Sequence, residues 1–208
     1  PDENLVATAT VNWWAATSSV EPFGPISATN GLSIDDVSLV HNIIGSSADF
    51  SSGNVLALGE IADLQVEVGI PESTIPSASI VYTVPTGLEI ISATVSSVES
   101  PLAPPQGAIT PVLTFIDAAG GDGLADRIEI ELGDVVNPAD DDQPEEIVLD
   151  VQVRVRNAGG HENGDVLRPR ARFYTNDQQL RSRNRSLVVR IPQVDVSLTF
   201  ADDTVQGG

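Results

Sequence analysis

A chain of 208 residues with 41% hydrophobic content is long enough to bury one good core or two small ones and too apolar for outright disorder. Its 30 acidic residues face only ten basic ones, all Arg, and the net charge of −20 disfavours phosphate backbones and anionic lipid heads as partners. Cys and Met are both absent, which excludes disulfides, thiolate metal ligands and a Cys nucleophile, and no run approaches the roughly 18 apolar residues that span a bilayer.

Apolar residues alternate along most of the chain and do not recur at helical spacing, while Gly and Pro punctuate it at short intervals. In chain order the pattern predicts strands over 4–14, 33–44, 54–69, 77–84, 88–98, 109–116, 127–132, 146–157, 165–175, 180–191 and 193–200. Short strands separated by turn clusters predict an all-β fold, an Ig-like antiparallel β-sandwich. Several strands announce their buried face. Ile128, Ile130 and Leu132 oppose Arg127, Glu129 and Glu131. Ile147, Leu149, Val151, Val153 and Val155 oppose Asp150, Gln152, Arg154 and Arg156, and Leu167, Ala171 and Phe173 oppose Arg168, Arg170 and Arg172. If the strand holding Glu129 and Glu131 lies beside 146–157, Glu–Arg pairs across the two account for much of the Arg content. Arg181, Arg183 and Arg185 are left over and suit an acidic neighbour.

One stretch occurs twice. Asp36-Val37-Ser38-Leu39 returns about 160 residues later as Asp195-Val196-Ser197-Leu198, and in both places a short Ala-containing segment lies upstream. A period of this length predicts a tandem-repeat module: residues 1–31 as the closing strand of a preceding unit plus a connector, 32–192 as a complete sandwich, and 193–208 as the opening strand of the next unit. On this reading residues 1–14 lack a partner unless a neighbour supplies one, and 193–200 is equally incomplete; an unpaired strand is a template for strand addition. The chain opens with no Met and no signal-like run, and so reads as an internal fragment.

Across 59–175 the order of several short pieces resembles a known family. Gly59-Glu60 opens a strand, Pro85-Thr86-Gly87-Leu88 forms a turn into an Ile/Val strand, and Leu132-Gly133-Asp134-Val135-Val136-Asn137 leads into Asp140-Asp141-Asp142 and Glu145-Glu146. Val151 to Asn157 and Ala158 to Gly164 then connect to the strand containing Ala171. This order resembles the Ig-like repeats of bacterial surface and fimbrial adhesins, the isopeptide-forming type. The resemblance implies a secreted or cell-surface structural repeat. The crosslink that names the family joins a Lys amine to an Asn or Asp carboxyl group; this chain has no Lys and cannot make it.

Two acidic loops are candidate calcium sites. Asp117, Asp122 and Asp126 are spaced along a Gly-rich loop that could fold their oxygens around one ion, and Asp140, Asp141, Asp142 and Glu145 form a second group that binds its own Ca²⁺ or completes the first. A solvated turn explains the same residues, because Asp and Gly suit left-handed turn geometry. Trp13 and Trp14 point to opposite faces of a strand, so one fills a core and the other is a candidate stacking platform for a sugar. His41 and His161 are too few and too scattered for a metal site, and no nucleophile elbow or phosphate loop is present.

The sequence therefore predicts a non-enzymatic structural module of a long secreted or cell-surface adhesin or extracellular fibre. Its partners are neighbouring repeats or identical subunits, head to tail, joined by strand pairing and packing with calcium as a candidate stiffener. Nucleic acid and membrane insertion are not expected. The alternative is a calcium-dependent β-sandwich that binds a carbohydrate or other cell-surface ligand.

Overall fold

Strands are the regular secondary structure among the described residues of the computed structural model, which are 4–13, 23–33, 36–48, 51, 53–102, 109–118, 121, 123–139, 143–156, 160–193 and 196–197. In chain order these are β1 (Asn4–Trp13), β2 (Phe23–Ser33), β3 (Ser38–Ser46), β4 (Val55–Ala57), β5 (Ile61–Ile70), β6 (Thr74–Thr83) and β7 (Leu88–Val98). They continue as β8 (Val112–Ile116), β9 (Arg127–Val136), β10 (Glu145–Val155), β11 (Val166–Leu167), β12 (Arg170–Thr175), β13 (Gln178–Asn184) and β14 (Leu187–Arg190).

Two sheets form an antiparallel β-sandwich. One is four-stranded in the order β3-β5-β10-β7; the other is five-stranded in the order β13-β12-β6-β9-β8. A small third sheet, β11-β14-β4, includes a parallel pairing of Val188–Arg190 with Val55–Ala57. The period-two faces read from the sequence are the ones that meet in the core. Ile147, Leu149, Val151, Val153 and Val155 of β10 are buried, as are Ile128, Ile130 and Leu132 of β9 and Leu167, Ala171 and Phe173 on β11 and β12. Each large aliphatic or aromatic side chain brought in this way contributes about 1.5–3 kcal/mol.

Where strand boundaries differ from expectation, backbone chemistry explains the difference. The predicted strand 165–175 breaks at Arg168–Pro169 because Pro offers no N–H to a ladder. The predicted strand 54–69 breaks at a turn through Gly59, whose φ of +81° suits a residue without Cβ. In the other direction, β9 runs past 132: Gly133 at φ +75° sits in a bulge opposite Ala78, Asp134 accepts the N–H of Ser77 at 2.9 Å, and pairing resumes at Val135.

Two expectations are corrected. Of the stretch 1–14 expected to lack a partner, the described residues 4–13 have one: β1 pairs antiparallel with β2, from Asn4↔Ser33 to Trp13↔Phe23, so part of the supposed connector in 1–31 is a strand. Its register shifts between Val11 and Trp13, the stretch facing Gly24 and Pro25, which is why the Pro/Gly content disguised it. Second, β9 does not lie beside β10; the two belong to opposite sheets. Arg154 pairs instead with Glu89, directly opposite on β7, at 2.8 Å, and Arg127 pairs with Glu129 on its own strand. Most of the predicted strand 193–200 lies outside the described residues; Val196 and Ser197 are in no strand.

Leu149 is fully buried between the sheets. Leu149→Ala is expected to lower unfolding stability by about 2–5 kcal/mol in urea titration, with the m value unchanged.

Candidate functional site

The first acidic loop joins β8 to β9. Asp117 spends both carboxylate oxygens on it, accepting the N–H of Gly121 at 3.0 Å and of Gly123 at 2.7 Å. Gly121 and Gly123 have φ values of +62° and +78°, so the loop winds its own amides around the carboxylate. Asp126 accepts the N–H of Ala118 at 2.8 Å, and its backbone bonds to Ile116 and Val84. Asp122 lies outside the described residues.

The second acidic loop joins β9 to β10, and its charged residues take different roles. Glu145 is buried, at 6% exposure, and accepts a hydrogen bond from the Asn137 side-chain amide. That amide also donates to Ile70 O at 2.9 Å, and Asn137 Oδ1 accepts from Ala139 N at 3.0 Å. Asn137 and Glu145 thus staple the two feet of the loop together. The exposed Glu146 exchanges hydrogen bonds with Glu99 through their backbones and the Glu99 carboxylate. Asp140, Asp141 and Asp142 lie outside the described residues. The two loops sit at opposite ends of the ten-residue β9, about 30 Å apart at strand rise, so the second cannot complete the first as one ion site. Among the described residues no three His, Asp or Glu side chains gather as a metal site.

Polar links between the sheets concentrate at the edge formed by β3 and β13. Arg181 of β13 donates from Nε to Val37 O at 2.7 Å and forms an ion pair with Asp36, just before β3. It is therefore a clasp within the sandwich, not a free cation awaiting a neighbour, whereas Arg183 is exposed. Deeper in, His41 of β3 and Tyr82 of β6 are hydrogen-bonded across the core at 3.2 Å, their rings edge to face with centroids 5.4 Å apart. Burial lowers the His41 pKa to about 4; the backbone of Arg183 works against this and the positive charge of Arg185 adds to it. Burial likewise pushes the Tyr82 hydroxyl up. His161 is remote in role: it covers Gly87, where a Cβ would lie 2.3 Å from its Cε1, and its Nδ1 is 3.6 Å from Asp165. Trp13 is described for its backbone alone, and Trp14 lies outside the described residues.

Sequence reasoning passed over Asp36, Glu60 and Asn137 as structural groups. Glu60, at 5% exposure, caps the β4–β5 turn by accepting from Ala57 N at 2.7 Å and Ser51 Oγ at 2.6 Å. The position of Asp36 inside the repeated Asp-Val-Ser-Leu was the available signal; nothing local marks Glu60 as buried.

No family model matches the sequence, and no curated protein matches it. Among solved structures, BspA_C_WT aligns with a TM-score of 0.51 at 9% identity over 80% of this chain and 55% of that one. BcpA, the major pilin subunit of Bacillus cereus, aligns at 0.47 and 14% identity over 78% and 44% of the two chains. The T6 backbone pilin of Streptococcus pyogenes aligns at 0.48 and 11% identity over 78% and 37%. The chain spans about half or less of the length of these structures. At such identities the similarity is one of fold, and the fold is the Ig-like β-sandwich.

The lowered His41 pKa fixes a pH dependence. The unfolded chain protonates His41 below about 6.5 while the folded one resists until about pH 4, so stability falls as pH drops through that window and is unaffected above it. The loss attributable to this group is about 3 kcal/mol. His41→Gln is expected to narrow the stability difference between pH 7 and pH 4 by that order, measured by urea unfolding at both pH values.

Proposed function

We infer that the chain is a non-enzymatic structural module of a secreted or cell-surface adhesin or extracellular fibre, joined to its neighbours by strand pairing and packing. The observation that carries this reading is the path of the chain through the sandwich. It enters at β3, whose Ser38 pairs with Gly69 near the end of β5, and leaves after β14, whose Arg190 pairs with Ala57 just before β5 begins. The two points are separated by the length of β5, ten residues or about 30 Å. Units threaded from one end to the other extend into a line, as a stalk or fibre requires. Non-covalent stability is consistent with this role: the sheets are joined by an apolar core and by the Arg181 and His41–Tyr82 links, with no Lys for a covalent staple. Antibodies against the chain are expected to label the surface or shed filaments of intact cells; label found only after lysis overturns the reading.

Calcium is the second component. Asp117 and Asp126 both place carboxylate oxygens on the Gly-rich loop, and either acidic loop is a proposed site. A rise in melting temperature with Ca²⁺ that EDTA reverses and Mg²⁺ does not reproduce supports calcium stiffening; identical curves in Ca²⁺ and EDTA remove it.

The alternative, a ligand-binding sandwich, is favoured by one feature. A groove of about 370 Å³ on the outer face of the four-stranded sheet is floored by Asp63, Asp150 and Gln152 and walled by Ser92 and Thr94. Gln152 donates to Asp63 at 2.8 Å, and Gln65 to Asp150 at 2.9 Å, which leaves carboxylate oxygens to accept from the hydroxyls of a carbohydrate.

A further inference from the structure

The two long edges of the sandwich are finished differently. At the β3/β13 edge the sheets are drawn together by the Arg181 clasp on Asp36 and Val37. At the other edge the five-stranded sheet overhangs the four-stranded one: β8 pairs only with β9 and β7 only with β10 among the described residues. Leu113 and Phe115 of β8 stand directly opposite Ile130 and Ile128, which are fully buried, and so face the core side. Yet Phe115 is 46% exposed and Leu113 is only partly buried. The same holds on β7. Val95 and Ala93 stand opposite Leu149 and Val151, which are buried, but are themselves only partly covered. One strand's worth of core-facing apolar surface is uncovered beside β7 and beneath β8.

We propose that this cleft accepts an extended strand, residues 194–200 of a second copy of the chain, which adds to the edge of β7 beyond Ile90, whose N–H already donates to Ala125 O at 2.9 Å, and completes the shorter sheet. The proposal rests on the structural reading above and names the contact by which units join. The donor is argued from its own twin. In Asp36-Val37-Ser38-Leu39 the alternate residues Val37 and Leu39 are buried, at 4% and 2% exposure, and the strand that begins at Ser38 forms a sheet edge against β5. Residues 194–200 repeat this core and extend its alternation, with Val194, Val196, Leu198 and Phe200 on one side and Asp195, Ser197 and Thr199 on the other. The apolar side suits Ala93, Val95, Leu113 and Phe115; the polar side continues the hydroxyl-rich outer face of Ser92 and Thr94. In its own chain Val196, at the centre of this segment, is 77% exposed and belongs to no strand, which leaves it accessible to another copy. β-Strand addition supplies main-chain hydrogen bonds along the edge, and the alternate side chains fill the gap.

Complementation of two disabled chains tests this. In sedimentation velocity the wild-type chain is expected to form concentration-dependent oligomers. Phe115→Asp, which spoils the acceptor, and the double variant Val196→Asp/Leu198→Asp, which spoils the donor, are each expected to remain monomeric. Mixed together they retain one good acceptor and one good donor and are expected to form heterodimers and nothing longer. A fluorescein-labelled peptide spanning 193–201 should bind the wild-type chain and bind Phe115→Asp about tenfold or more weakly. A wild-type chain that is monomeric throughout, or a peptide that does not bind it, overturns the proposal, and surface labelling would stand regardless. Should Phe115→Asp fail to fold by circular dichroism, excess unlabelled peptide serves instead: it dissolves wild-type oligomers if the cleft joins them and leaves them intact if it does not.

Discussion

Two sheets without a covalent tie stay together only if enough apolar surface faces inward from both. With neither Cys nor Lys in the chain, the inward-facing side chains of β5, β6, β9 and β10 carry that requirement, and the remaining features are built on them. These four strands are interior to their sheets, so the inward residues of each are flanked by those of two neighbours. A shift of one residue in β10 would turn Ile147, Leu149 and Val151 outward and Val148, Asp150 and Gln152 inward, and its register is correspondingly fixed.

Polar groups refine what the core begins. His41 and Tyr82 span the core as a single hydrogen-bonded pair, with the imidazole held neutral by burial. Asn137 with Glu145, and Glu60 with Ala57 and Ser51, are buried polar groups that satisfy turn amides at opposite ends of the sandwich. They act on loop shape and sheet alignment.

The acidity of the chain follows the same logic. Asp117 and Asp126 order a tight loop, Asp36 receives the Arg181 clasp and Glu89 receives Arg154, so several acids are partnered by the fold. The remaining excess of like charge discourages random edge-to-edge association between copies. Against that background an open apolar cleft at one sheet edge stands out, because neither Lys nor Pro guards the strands that frame it over 88–98 and 112–116.

Alternation, a property of neighbouring residues, is written into the sequence, and it determined the all-β class, the buried faces of β9, β10 and β12, and the extent of β7 from 88 to 98. The missing Lys determined the absence of the covalent staple on composition alone. Partnership between strands is a property of distant residues, and only the tertiary structure decided it. β9 and β10 follow one another yet lie in opposite sheets, so Arg154 meets Glu89 and not Glu129. Residues 23–33 carry turn-like Pro and Gly and become a strand because β1 lies beside them. The two acidic loops look adjacent in sequence and are held apart by the length of one strand. The repeated Asp-Val-Ser-Leu announced a strand in both places; that its first copy is clasped through Asp36, with Val37 and Leu39 in the core, depends on Arg181, which lies 145 residues further along the chain.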